Sequence, residues 1–192
     1  MKNAVFLDRD GVINPLVYNP ITSEYESPHY PEDFSVYPNV LKALKKLKDQ
    51  GYILFVVSNQ PSYAKGKTTL EYIQAIGKLL ADYLEENDVQ IEKYYYCYHH
   101  PDGDTANYSR RCECRKPGTL FLEEAIRQYN LNPDECWFIG DCDTDIMCGK
   151  AMGVRTILIE NKHSTKKAGN ETPNEYASDI HEAAQKIVGG IK

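Results

Sequence analysis

Short apolar runs alternate with longer amphipathic ones along the chain. Ala4 to Leu7 is a short apolar run that ends in charges, as a buried strand does on reaching a loop. Val40, Leu41, Leu44 and Leu47 recur at helical spacing, with lysines between them, and Gly51 ends that helix. Tyr52 to Val57 is apolar and partly β-branched throughout, which predicts a strand covered on both faces. The same reading predicts helices over 68–86, 120–129, 145–152 and 179–188, and strands over 93–98, 136–139 and 154–159. The stretch 162–177 is polar and reads as a loop. Val17 to Pro38 lacks periodicity and holds four prolines and four tyrosines. It reads as a long ordered loop near the first strand's end, placed to grip a substrate.

Strands separated by helices of this length make βαβ units, so the expected fold is α/β, a doubly wound parallel sheet. Its ligands belong at the carboxyl ends of the strands. The 192 residues suit one domain, and a 42% apolar fraction supplies a real core. A net charge of -6 argues against binding a phosphate backbone, and no apolar run is long enough to span a membrane. The N-terminal apolar run is too short for a signal-peptide core, which predicts a cytoplasmic location. The six cysteines then sit in a reducing compartment, where metal binding outranks disulfides.

Three polar segments follow predicted strands and hold the chemistry: Asp8-Arg9-Asp10-Gly11, Ser58-Asn59-Gln60 and Gly140-Asp141-Cys142-Asp143-Thr144-Asp145. A lone Asp-x-Asp is more often a turn or a cap. A second acidic cluster placed the same way changes that balance. Asp8 and Asp10 would repel unless a cation stood between them, and magnesium suits carboxylates that meet a phosphate. A carboxylate can attack phosphorus while a second acid protonates the leaving oxygen. Lys116, set before the turn of Pro117-Gly118, is the candidate to hold phosphate oxygens. Ser58, Asn59 and Gln60 offer a hydroxyl and amides for the same purpose.

Cys97-Tyr98-His99 and Cys112-Glu113-Cys114 form two close ligand pairs around a polar loop. That set suits a closed tetrahedral zinc site over 97–114 that clamps the loop and positions Lys116, with His100 the rival of His99. Cys136, Cys142 and Cys148 show no partnering pattern and read as packing residues.

Asp8-x-Asp10-Gly11, Ser58, Lys116 and Gly140-Asp141-x-x-x-Asp145 resemble, in order, the four motifs of the haloacid dehalogenase (HAD) superfamily of phosphatases. The resemblance implies Asp8 as nucleophile, Asp10 as general acid and base, and Ser58 and Lys116 as phosphate ligands. It also implies Mg2+ held by Asp8, the Asp10 carbonyl and Asp141, with Asp145 supporting. The cysteine pattern with Arg115-Lys116-Pro117 is similar to the zinc-bearing subgroup. That subgroup includes heptose 1,7-bisphosphate phosphatases and histidinol-phosphate phosphatase domains; there the first histidine is the Zn2+ ligand and an arginine, here Arg115, meets the substrate. It implies one cap-less domain over 1–192 that acts on a small phosphorylated sugar, and a monomer is expected. The leading expectation is the C7 phosphate of a heptose bisphosphate in bacterial surface-sugar synthesis. Histidinol phosphate is the alternative substrate, and a receiver-type phosphoacceptor the distant alternative. Ser58-Asn59-Gln60-Pro61-Ser62 departs from the subgroup's Thr-Asn-Gln-Ser-Gly, because Pro61 lacks an N–H. The loop after Asn14 is also longer.

Overall fold

A computed structural model describes residues 2–164 and 169–190. In chain order the strands and α-helices are β1 (Ala4–Leu7), β2 (Val17–Asn19), β3 (Glu24–Glu26), α1 (Val40–Asp49), β4 (Ile53–Asn59), α2 (Leu70–Glu86), β5 (Lys93–Cys97), α3 (Leu120–Tyr129), β6 (Trp137–Gly140), α4 (Asp143–Ala151), β7 (Arg155–Ile159), β8 (Glu175–Ala177) and α5 (Ile180–Gly189). Six strands form one parallel sheet in the order β5-β4-β1-β6-β7-β8.

All four residues of β1 are buried, because the sheet is covered on both faces. Successive side chains point to opposite faces. Val5 and Leu7 therefore enter one core with Leu44 and Leu47 of α1, Leu80 and Leu84 of α2, and Ala183 and Ile187 of α5. Ala4 and Phe6 enter the other, with Phe55, Phe138, and Leu122 and Ala125 of α3. The rings of Phe6 and Phe55 stack at 5.3 Å across the β1–β4 pair. Truncating Leu44 to alanine would cost about 2–5 kcal/mol in so closed a core.

From β1 the chain runs outward through β4 to β5, then returns to build β6, β7 and β8 on the other side. The strand order switches between β1 and β6, and a crevice opens there at the carboxyl ends. Residues after β1, β4 and β6 all reach it.

Three expectations change. The stretch 17–38 holds a small antiparallel pair, β2 with β3, and a 3-10 turn at Pro31–Asp33. Glu26 ties this hairpin to the segment after β4 through Lys67 at 2.5 Å. The stretch 162–177 ends in the edge strand β8, paired with β7; residues 165–168 of it lie outside the described residues. Three-residue strands are too short to print an alternation, so pattern alone misses them. Helix α4 starts at Asp143, two residues early, because Cys142 and Asp145 satisfy its first N–H groups as a capping box. Among the described residues no helix is long and apolar enough to cross a membrane.

Candidate functional site

Asp8 follows β1 and extends its ladder, its N–H donating to the Ile139 carbonyl at 2.9 Å. Its Oδ1 accepts from the Arg9 N–H at 2.7 Å and lies 2.9 Å from Lys116 Nζ. Lys116 is buried and spans the crevice. Its Nζ also lies 2.7 Å from Asp145 Oδ1 and donates to the Val57 carbonyl at 2.7 Å. Burial presses the Lys116 ammonium down, but Asp145 and Asp8 outweigh it and hold it well above the ordinary lysine range. Asn59 fixes the Lys116 backbone at both ends, accepting from its N–H and donating to its carbonyl, each at 3.0 Å.

Asp141 and Asp145 come from the turn between β6 and α4. Asp145 Oδ2 accepts from the N–H groups of Asp141 and Cys142 at 3.2 and 3.1 Å. Asp141 is held by the Ser164 hydroxyl and by the Cys142 thiol at 3.1 Å. Burial, then Asp8 and Asp145, push the Asp141 carboxyl up to about 7. Burial pushes Asp145 up to about 6 although Lys116 opposes it. Gly11 sits at φ +88° against Asp141, where a Cβ would overlap its Oδ2.

Asp10 is also buried, with its carboxylate turned to Arg9, Asn14 and Gln60. Burial raises Asp10, but the Arg9 guanidinium and the Asn14 and Gln60 amides prevail and hold it below the ordinary carboxylate range. Asp8, Asp10, Asp141, Arg115 and Lys116 line one open cavity of about 400 Å³, with Pro61 and Lys65 on its wall.

The sequence-predicted residues Asp8, Asp10, Asn59, Arg115, Lys116, Asp141 and Asp145 thus meet around one cavity. Ser58 and Gln60 lie beneath it and are buried, and Gln60 Nε2 donates to Ser58 Oγ at 3.0 Å. Gln60, expected to face phosphate, turns its amide to Asp10 and Arg9 instead. Cys136 and Cys148 are packing residues as expected, but Cys142 caps α4 at the cavity. Sequence reasoning passed over Arg9, which is fully buried, and Ser164, which touches Asp141 from 23 residues away. An arginine between two aspartates reads as a solvated charge. Nothing local links Ser164 to Asp141.

Beside the cavity, Cys97, His99, Cys112 and Cys114 converge. Their sulfurs lie 3.6, 3.3 and 3.3 Å apart, and His99 Nδ1 stands 3.8 and 3.6 Å from Cys97 and Cys114. His100 looks elsewhere, its Nδ1 accepting from the Asp102 N–H at 3.1 Å.

A HAD-hydrolase-like family profile matches residues 113–183. The chain is 35% identical over 159 residues to the D-glycero-beta-D-manno-heptose-1,7-bisphosphate 7-phosphatase of Haemophilus ducreyi, covering 82% of each. It is 33% identical over 192 residues to the Haemophilus influenzae protein of that name, covering all of each. The alpha-anomer 7-phosphatase of Photorhabdus laumondii is 32% identical over 84% of this chain and 85% of its own. Among solved structures, the D,D-heptose 1,7-bisphosphate phosphatase from B. bronchiseptica, complexed with magnesium and phosphate, shares the fold. Its TM-score is 0.78 at 22% identity, over 98% of this chain and 99% of that one. The HAD-like fold and the named relatives together make this chain a phosphatase of the HAD type. Within that class the chain belongs to the family of D-glycero-D-manno-heptose-1,7-bisphosphate 7-phosphatases.

Proposed function

We propose that this chain removes the C7 phosphate of D-glycero-D-manno-heptose 1,7-bisphosphate by way of an aspartyl-phosphate on Asp8, in bacterial surface-sugar synthesis. The observation that carries the chemistry is the meeting of Asp8, Asp10 and Lys116 on one cavity at the β1–β6 switch point. The substrate rests on the relatives, whose name it is.

Lys116 and the Arg9 N–H hold Asp8 Oδ1, which directs the other carboxylate oxygen at phosphorus. The new Asp8–phosphorus bond forms as the phosphorus–oxygen bond to C7 breaks, and Asp10 gives its proton to the departing oxygen. Asp10 then takes a proton from water as that water attacks phosphorus and frees Asp8. An incoming phosphate dianion opposes the Arg9 guanidinium and raises Asp10 from its low starting point, toward the protonated form the first step needs. Lys116, its backbone fixed by Asn59, supports the phosphoryl oxygens together with the Ser58 hydroxyl, and Arg115 meets the distal part of the substrate.

Asp8, Asp141 and the Asp10 carbonyl would hold Mg2+, with Asp145 behind them. The all-oxygen donor set fits this ion, and a carboxyl pushed up to about 7 marks a place where a cation is favoured. Bound there, magnesium neutralises charge between Asp8 and the arriving phosphate. The Cys97, His99, Cys112 and Cys114 set fits Zn2+, since a tetrahedron with bonds of about 2.3 Å has sulfur–sulfur edges of roughly 3.8 Å. Zinc there would tie the ends of the 97–114 loop inside a single domain over 1–192. Thiolate ligands of this kind need a reducing compartment, which favours the cytoplasm.

The test assays purified protein with Mg2+ on the heptose bisphosphate and on histidinol phosphate, and traps labelled phosphoenzyme in acid. The expected result is a clear kcat/KM preference for the heptose, with hydroxylamine-labile label that Asp8→Asn lacks. Equal turnover of both substrates would sink the substrate assignment, and label retained in Asp8→Asn would sink the nucleophile.

A further inference from the structure

Two side chains under Asp10 have no part in the chemistry above. Arg9 is fully buried, and Gln60 nearly so. Arg9 Nε and Nη2 donate to Asp10 Oδ1 at 3.1 and 2.9 Å, and Nη2 reaches Oδ2 at 3.1 Å. Gln60 Nε2 donates to Asp10 Oδ2 at 2.6 Å, and Gln60 Oε1 accepts from Arg9 Nη2 at 2.7 Å. Asn14 Nδ2 closes the set on Oδ1 at 2.9 Å. Arg9, Gln60 and Asp10 therefore form a ring in which each touches the other two.

This ring is locked from outside as well. The Arg9 carbonyl accepts from the N–H groups of Ile13 and Asn14 at 2.8 and 3.1 Å, which winds the chain after β1 into a tight turn. The Gln60 N–H donates to the Cys97 carbonyl at 2.7 Å, which fixes the end of β4 to the end of β5. The Arg9 guanidinium also lies 5.8 Å from the Tyr96 ring. A buried arginine costs several kcal/mol in desolvation unless paired in good geometry, so its pairing here is spent on one carboxylate. That carboxylate is the one whose direction decides whether a proton reaches the leaving oxygen. Displacements near 1 Å in such a group cost large factors in rate.

We infer that Arg9 and Gln60 are positioning residues that aim Asp10 at the leaving-group oxygen, and that Gln60 acts through Asp10 and not on phosphate. The inference rests on the reading of Asp10 as the acid and base. It corrects the expectation that all of Ser58-Asn59-Gln60 serves the phosphate, and assigns Arg9, which lies between the two aspartates, to the second of them.

The test uses leaving groups. A phenolate such as 4-nitrophenolate departs without a proton, whereas a sugar alkoxide does not. The value of kcat/KM covers the steps from binding through departure of that group and leaves out the later hydrolysis of the aspartyl-phosphate. It therefore reads Asp10 as acid and not as base, and the comparison of the two leaving groups isolates the proton transfer. Gln60→Met keeps length and burial but removes the hydrogen bonds to Asp10 and Arg9, along with the one to Ser58, whose loss would weigh on both substrates alike. It is expected to lower kcat/KM on the sugar phosphate by about tenfold or more, and on 4-nitrophenyl phosphate by less than about threefold. Arg9→Lys keeps the charge but not the forked geometry, and is expected to show the same split; it stands in if Gln60→Met does not fold. Combined with Asp10→Asn, either change adds no further leaving-group dependence.

Equal losses on both substrates, or a change in KM alone, would overturn the positioning role. Asp10→Asn separates the two readings. If it shows the split and Gln60→Met does not, only the positioning role falls. If Asp10→Asn shows no split, the acid–base reading falls and the positioning role with it.

Discussion

Lys116 Nζ stands 2.9 Å from Asp8 Oδ1, with both groups nearly out of solvent. The same ammonium meets Asp145 at 2.7 Å, so one buried cation serves two buried carboxylates. Removing it leaves both uncompensated. Lys116→Met is expected to abolish turnover and to cost about 3–5 kcal/mol of stability, read from urea unfolding. Adding Asp145→Asn removes one of the stranded charges and should recover part of that stability but no activity. An active Lys116→Met protein would contradict the arrangement.

Much of this site is legible in the sequence, and the reason is local. β1, β4, β6 and β7 lie inside a sheet covered on both faces, so their apolar runs stand out, and the acids that follow them mark the strand ends. The cluster of Cys97, His99, Cys112 and Cys114 is also legible, because each half has its two side chains one residue apart. What pattern does not reach depends on distant pairing. Arg9 looks like a surface charge until Gln60, 51 residues on, accepts from it. β8 gains its identity only from β7, and β2 only from β3.

The carboxyls of Asp141 and Asp145 make stability depend on pH in a definite direction. Folding raises Asp141 from an ordinary 3.8 to about 7, and Asp145 to about 6. A carboxyl raised on folding contributes fully below its unfolded pKa and loses that contribution as pH climbs through its folded one. Zinc-loaded, magnesium-free protein should therefore lose stability relative to Asp141→Asn as pH rises from about 4 to 7. Thermal melting of the two side by side checks this. His29 and His100, both lowered by burial first, titrate in both proteins and drop out of the difference, and the state of His99 in the zinc-loaded cluster is common to both. Added Mg2+ should shrink the gap by stabilising only the wild type. A gap that stays flat with pH would refute the assignment.

The zinc loop offers a separate test. No residue from 101 to 111 is buried, so the loop has little core of its own to order it. Cys112→Ser removes one of the four side chains proposed to hold zinc. Bound zinc should fall well below one per chain, and the melting midpoint should drop by at least roughly 5 °C, about 2 kcal/mol at this length. Proteolysis should begin within 101–111. Activity should fall while the Mg2+ requirement persists, because Asp8 and Asp141 lie outside the cluster. Unchanged zinc content and melting would remove the clamp.

Gly11 tests the metal site from its far wall. Its φ of +88° already favours glycine, and a Cβ there would overlap Asp141 Oδ2 and lie 3.2 Å from Asn161 Nδ2. Asn161 Nδ2 donates to the Gly11 carbonyl at 3.1 Å, so the loop after β7 cannot yield freely. In Gly11→Ala the Asp141 carboxylate must therefore move, and it is held by Ser164 on one side and Cys142 on the other. Changes that disturb a metal ligand's support typically cost 10–100-fold in affinity. The Mg2+ concentration for half-maximal activity should rise about tenfold or more, with kcat at saturating Mg2+ changing far less. Lys116 and Asp8 keep their contact in this variant, so the phosphate cradle is left intact. A Mg2+ titration unchanged from wild type would show that Asp141 does not hold the ion.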